Sequence, residues 1–241
     1  MREVQLIPQQ RNLKGGTNLK KTIAVLGVVV LALSLTAVAA DNTRVTTQGK
    51  PGGTAYKAAG QDASLPIIFS NLATKDPKGL YFCCEGNIIS GPDNAYGYPA
   101  YAEAIQFVVT SATTLHKITT SVNYIAEGTY TDFLFAIEAD ASGVPSGTAL
   151  GSGPWKVTIN SQTFGQCCAT EVGKAKGGLA LAPGTYWVVW ETEAASDLFA
   201  EVNVEVFDEV DSANVAYSAS NGAAGSWTSY GSVDGFNVEV Q

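Results

Sequence analysis

The chain has 241 residues, with 14 Lys/Arg against 22 Asp/Glu and a formal net charge of −8. Nucleic acid and anionic lipid are bound through clustered basic residues, so this balance excludes both as natural partners. Charged residues make up 15% of the chain, against about 25% in ordinary globular proteins, which fits a β-rich exported domain carrying much Thr, Ser and Gly.

Residues 22–40, "TIAVLGVVVLALSLTAVAA", are uncharged and almost wholly apolar, follow Lys20 and Lys21, and close on Ala37, Ala39 and Ala40. A basic region, an apolar run and small residues in an Ala-x-Ala arrangement predict that 1–40 is a secretory signal peptide, cleaved after Ala39 or Ala40. The alternative is an N-terminal membrane anchor, because ~20 apolar residues span a bilayer. No cysteine lies near the apolar run, so a lipid-modified cysteine there is excluded. Beyond residue 40 the chain holds nine basic and 21 acidic residues, a net of −12. Solubility outside the cell accounts for that acidity; calcium binding is the sharper alternative. The closing segment "GFNVEVQ" carries no apolar tail and no basic stop.

Residues 41–65 are rich in Gly, Thr, Ala and Gln and poor in large apolar groups, which predicts a flexible linker. A filament subunit, with this segment adding a strand to a neighbour's sheet, is a further alternative. From Pro66 onward short alternations appear between Gly, Pro, Asn and Asp. Ile105, Phe107 and Val109 share one strand face, as do Phe133, Phe135 and Ile137. Tyr186, Val188 and Trp190 follow the turn "APG" at 182–184, and Val202, Val204 and Val206 and then Phe236, Val238 and Val240 repeat the pattern. Period-2 alternation punctuated by turn residues predicts antiparallel strands. "PAYAEAIQF", 99–107, has room for one helical turn before its strand. Two sheets must pack to bury their apolar faces. The expectation for 66–241 is therefore one all-β domain, an antiparallel β-sandwich of jelly-roll type.

The four cysteines form two doublets, Cys83–Cys84 and Cys167–Cys168. Oxidation is expected after export. A vicinal bond strains geometry, since neighbouring Cα atoms lie about 3.8 Å apart and disulfides prefer about 4.4–6.8 Å. A bond between the doublets closes a loop of about 83 residues, for which loop entropy gives ~4.5 kcal/mol. Zinc and redox sites favour C-x-x-C spacing. A staple between the doublets is expected, with vicinal rings and a metal or free-thiol state as alternatives.

"YFCCEGNIISGP" (81–92), "AYAEAIQFVV" (100–109), "ITTSVNYIAEGT" (118–129), "FAIEADASGVPSGTAL" (135–150), "TFGQCCA" (163–169) and "LALAPGTYWVVW" (179–190) occur in this order. With these segments the chain resembles the secreted bacterial domains called choice-of-anchor, the R-type in particular, over roughly residues 67–240. The resemblance implies an exported β-sandwich on or near the cell surface, without an established activity and without catalytic residues to carry over. Members of that family commonly end in a sorting signal. Its lack in "GFNVEVQ" shifts the expectation to free secretion or tethering through residues 22–40.

Motifs for chemistry are sparse. There is no G-x-S-x-G, H-E-x-x-H or P-loop. His116, the sole histidine, falls on the strand parity of Ile118 and Val122 and is expected to be structural. A glycosidase needs only two carboxylates about 5–10 Å apart in a cleft, and Glu103, Glu138, Glu191, Glu193 and Glu201 are the acids to check. "EADASG", 138–143, is expected to be a turn and not a calcium loop. Asp208, Glu209, Asp211 and Asn214 form the better oxygen-ligand cluster, with calcium as the one cofactor considered. Tyr96, Tyr98 and Tyr101 in "NAYGYPAY", with Trp187 and Trp190, are the ligand-binding candidates, because such rings are apolar on one side and polar at one end. The expectation is no enzyme: a non-catalytic secreted or cell-surface module for display, adhesion or ligand binding, with carbohydrate or an envelope protein as partner. A polysaccharide-acting hydrolase, or its accessory carbohydrate-binding module, is the alternative.

Overall fold

From Ala104 to Val109 the apolar Ile105, Phe107 and Val109 alternate with Ala104, Gln106 and Val108, and the segment folds as a strand in which Ile105, Phe107 and Val109 are buried. The same rule runs through most of the domain. The computed structural model describes residues 44–46, 65–71, 85–125, 129–130, 132–158, 169–203, 212–234, 236 and 238–241. Its strands are β1 (Arg44–Thr46), β2 (Phe69–Ser70), β3 (Glu85–Ser90), β4 (Ala102–Val109), β5 (Thr113–Tyr124), β6 (Asp132–Asp140) and β7 (Pro145–Ala149). They continue with β8 (Trp155–Thr158), β9 (Ala169–Leu181), β10 (Gly184–Glu191), β11 (Phe199–Asn203), β12 (Ser212–Ser218), β13 (Trp227–Asp234) and β14 (Val238–Val240). Among the described residues there is no helix, and so none long and apolar enough to cross a membrane.

The strands form two sheets of seven, and all their ladders are antiparallel. The first runs β1-β3-β11-β5-β14-β2, with β9 also on β5; the second runs β13-β12-β4-β10-β6-β7, with β8 also on β6. One apolar cluster joins residues of both sheets. Ile89, Leu115, Ile118, Val122, Val202 and Val238 come from the first; Ile105, Phe107, Phe133, Phe135, Val188 and Trp190 come from the second. Full burial of such side chains contributes about 1.5–3 kcal/mol each. Gly173 on β9 lets the sheets close here, since a Cβ at that position would overlap the Phe135 ring. The inward residues expected from alternation in β4 and β6 are found, as are Val188 and Trp190 on β10, Val202 on β11, Phe236, and Val238 and Val240 on β14, with Tyr186 partly buried against them.

A second, smaller cluster lies on the opposite face of the β13-β12-β4-β10-β6-β7 sheet. Ala102, Ala104, Ala136, Val189 and Ala216 surround Trp187 and Trp227, and Val144 and Ala149 pack against them.

Three local expectations change. Residues 44–46, inside the expected linker, pair with Glu85–Asn87 as an edge strand. No helical turn forms over 99–107: β4 begins at Ala102, and the Ser90 hydroxyl donates to Pro99 O and accepts from Tyr101 N, which holds the chain extended. His116 is exposed and does not share the buried face of Ile118, because the β5–β9 register shifts between Leu115 and Lys117. There the N–H groups of His116 and Lys117 both donate to Gln241 O, as at a β-bulge, where two residues oppose one. Residues 22–40, the four cysteines, Val204 and Val206 lie outside the described residues.

Candidate functional site

The segment "GPDNAYGYPAY", 91–101, connects β3 to β4, and the two tyrosines exposed on it form the site. Its shape comes from Asn94. The amide Nδ2 donates to Gly91 O and Tyr98 O, both at 2.8 Å. Oδ1 accepts from Tyr96 N at 3.2 Å and Tyr98 N at 3.1 Å. Four bonds use the full capacity of one amide side chain, so a loop of small and aromatic residues acquires a fixed form. It is also docked: Gly91 N donates to Leu198 O at 2.9 Å and Asp93 N to Ser196 O at 3.0 Å. Any side chain at Gly91 would overlap the Ser196 carbonyl.

Docking places the tyrosines on Phe199, the first residue of β11. The Tyr96 ring centroid lies 4.8 Å from that of Phe199, and the Tyr98 centroid 5.3 Å. The contacts continue from Tyr98 to Tyr101 at 6.5 Å, from Tyr101 to Tyr217 on β12 at 6.5 Å, and from Tyr217 to Tyr230 on β13 at 4.8 Å. Six rings thus form one strip from the first sheet to the second. Tyr96 and Tyr98 are 59% and 38% exposed, while Tyr101, Phe199 and Tyr217 are below 9%. The most exposed part of the strip is these two rings, Tyr230 is partly exposed, and Tyr101, Phe199 and Tyr217 are their support. Phe199, Tyr217 and Tyr230 have no signal in the sequence, since each reads locally as an ordinary strand aromatic.

Behind the strip lies Glu103. Its carboxyl is fully buried, accepts from Asn87 Nδ2 at 3.2 Å, and has no hydrogen-bond partner for Oε1 among the described residues. Burial pushes its pKa well above the usual carboxylate range, against the Asn87 bond. Burial and then the nearby Tyr217, Glu103 and Tyr98 raise the Tyr101 phenol.

Trp187 and Trp190 leave the candidate site. Both are fully buried, on opposite faces of β10. Trp190 meets Phe236 edge-on at 5.5 Å in the shared core. Trp187 belongs to the outer cluster and donates Nε1–H to Asp140 Oδ1 at 2.8 Å. Asp140 also accepts from Gln106 Nε2 and Gly143 N, so "EADASG" spends its carboxylate on a turn.

The other acids are dispersed except for one pair. Glu193 meets Lys156 at 3.1 Å. The Glu201 side chain lies outside the described residues. Glu138 and Glu191 couple electrostatically on the outer face of their sheet. Glu138 is closed over by the β7 hairpin, accepting from Gly147 N, and burial raises its pKa against bonds from Gly147, Thr148 and Ser146. Burial and then the Glu138 charge push Glu191 up to about 7.

Of the oxygen-ligand cluster, Asp208, Glu209 and Asp211 lie outside the described residues. Asn214 is exposed on β12 and donates Nδ2–H to Gln106 Oε1 at 2.7 Å. Among the described residues no three His, Cys, Asp or Glu side chains come together as a metal site.

The chain matches no family model, no curated protein and no solved structure.

Proposed function

We propose that this chain is an exported, non-catalytic β-sandwich of jelly-roll type that binds carbohydrate through Tyr96 and Tyr98, displayed at the cell surface or secreted. The observation that supports it is the pair of exposed rings held rigid by Asn94 and backed by Phe199. A preformed aromatic surface loses little entropy on binding, and a ring face suits the apolar face of a sugar. The signal-like 22–40 segment and the resemblance to choice-of-anchor domains support export. An envelope protein is the other partner class for the same rings. A glycan array and a pull-down from envelope extract, each with the wild type and with Tyr96→Ala/Tyr98→Ala, test the proposal. Retention that the double variant loses supports it; retention by neither overturns it.

The disulfide staple is part of the same proposal. Glu85 and Ala169, the described residues just after each doublet, lie in one sheet with β11 and β5 between their strands. The segments ahead of them must therefore turn toward one another for a bond to form. Peptides bearing 83–84 and 167–168 should stay joined in non-reducing mapping and separate on reduction. Calcium at 208–214 belongs to the proposal as well, and calcium titration of the chelated protein tests it.

One observation favours polysaccharide hydrolysis as a second reading: the coupled carboxylates Glu138 and Glu191. Turnover of a polysaccharide by the wild type, lost in Glu191→Gln, would put this reading first.

A further inference from the structure

Every ring of the aromatic strip comes from a part of the chain without basic residues. Tyr96, Tyr98 and Tyr101 lie within 79–116, and Phe199, Tyr217 and Tyr230 within 177–241. These two stretches together hold 13 Asp/Glu and no Lys or Arg. The described lysines stand elsewhere: Lys117 on β5, Lys156 on β8, and Lys174 and Lys176 on β9. Lys156 is engaged by Asp132 at 2.6 Å and Glu193 at 3.1 Å. Arg44 sits on the edge strand, and β3 lies between that strand and β11.

Two aspartates, Asp93 and Asp197, belong instead to the segments that carry Tyr96 and Phe199. The hydrogen bond from Asp93 N to Ser196 O brings the loop carrying Asp93 against the segment carrying Asp197, at the same junction where Tyr96 and Tyr98 meet Phe199. Asp93 is exposed. Asp197 accepts from Thr129 N and Tyr130 N, both at 2.7 Å. The Thr129 bond first, and the Tyr130 bond with it, hold its carboxyl below the usual range against the cost of burial, so it is ionised at neutral pH. Tyrosine faces add negative potential of their own, which attracts a cation stacked on them. A charge on a bound ligand lies within a Debye length, about 8 Å at physiological salt, of groups around the rings.

We infer that the Tyr96–Tyr98 surface selects glycans by charge, preferring amino-bearing chains over neutral ones and rejecting chains that carry carboxylate or sulfate. The inference rests on the carbohydrate-binding proposal and adds the ligand class to it. No fixed cation beside the rings is described that would meet an anionic sugar, whereas an ammonium gains from both the ring faces and the two aspartates.

The test uses three hexamers with the same β-1,4 linkage: glucosamine, glucose and glucuronate. Each is titrated against the full chain by calorimetry at low and high salt. Glucosamine hexamer should bind roughly two- to fivefold more tightly than glucose hexamer, the size of an exposed cation–π contact. Glucuronate hexamer should bind most weakly, and salt should compress the spread. Asp93→Asn should narrow the ratio of glucosamine to glucuronate binding. Glucuronate binding as tight as glucosamine binding, and lost in Tyr96→Ala/Tyr98→Ala, overturns the charge inference and leaves carbohydrate binding standing. Binding of none of the three overturns both.

Discussion

Trp187 and Trp190 stand three residues apart on β10 and are both fully buried, yet different physics buries them. Trp190 points between the sheets into a cluster of Phe, Ile, Leu and Val side chains supplied by most of the strands. Trp187 points outward into a cluster made largely of alanines, against which Val144 and Ala149 pack. Its indole N–H is paired with Asp140, while that of Trp190 has no partner among the described residues. The inner core is held by area. The outer cluster is held by small residues, a hairpin and carboxylates that include the Glu138–Glu191 pair. An inner substitution should therefore act through volume at any pH, and an outer one through hydrogen bonds and protonation.

Removing volume from the inner core should give the largest effect. Phe135→Ala leaves a cavity against Gly173 and Trp155 and should cost about 3–5 kcal/mol in urea unfolding, largely independent of pH. Adding volume at the same contact comes next. Gly173→Ala drives a methyl group into the Phe135 ring, with an expected cost of roughly 1–3 kcal/mol, and Phe135→Leu should relieve part of it in the double variant. Little interaction between those two changes would show that the sheets do not close on this pair.

Glu191→Gln probes the outer cluster and should act in the other direction. A carboxyl raised to about 7 in the folded state, from an ordinary value of 4.5, binds its proton more tightly folded than unfolded. Its contribution is complete below pH ~4.5, falls as pH rises through the window up to about 7, and is flat above. Gln keeps the neutral shape and cannot ionise. The variant should lose that slope and be more stable than the wild type above pH 7 by roughly 1–3 kcal/mol. Parallel stability curves for the two proteins from pH 4 to pH 8 would mean that Glu191 titrates normally.

The smallest effect on stability belongs to the exposed rings. Tyr96→Ala should change unfolding by no more than about 0.5 kcal/mol, because Asn94 and not the ring shapes the loop. Asn94→Ala should cost more, roughly 1–3 kcal/mol, by stripping all four bonds of a buried amide from the turn. If the ring matters more than the amide, the loop is held by stacking.

Alternation along single strands determined the all-β class and the inward residues, from Ile105 to Val240. That signal is local, since successive side chains in a strand point to opposite faces whatever the strand packs against. The exposure of Tyr96 and Tyr98 was legible for a similar reason: a Gly/Pro/Asn-rich stretch predicts a turn, and tyrosines there have no strand face to fill, whereas Tyr101, expected with them, is buried beside β4. Tertiary structure alone decided what those tyrosines rest on. Phe199, Tyr217 and Tyr230 lie far from them in sequence and join them only when β11, β12 and β13 take their places. It also decided the fate of Trp187, whose parity places it on the outer face but does not say that a hairpin will cover that face. Only the parity read for His116 changed, at a bulge where His116 N and Lys117 N both donate to Gln241 O, at the far end of the chain. Pairing across such distances depends on which strands become neighbours, and period-2 alternation carries no record of that.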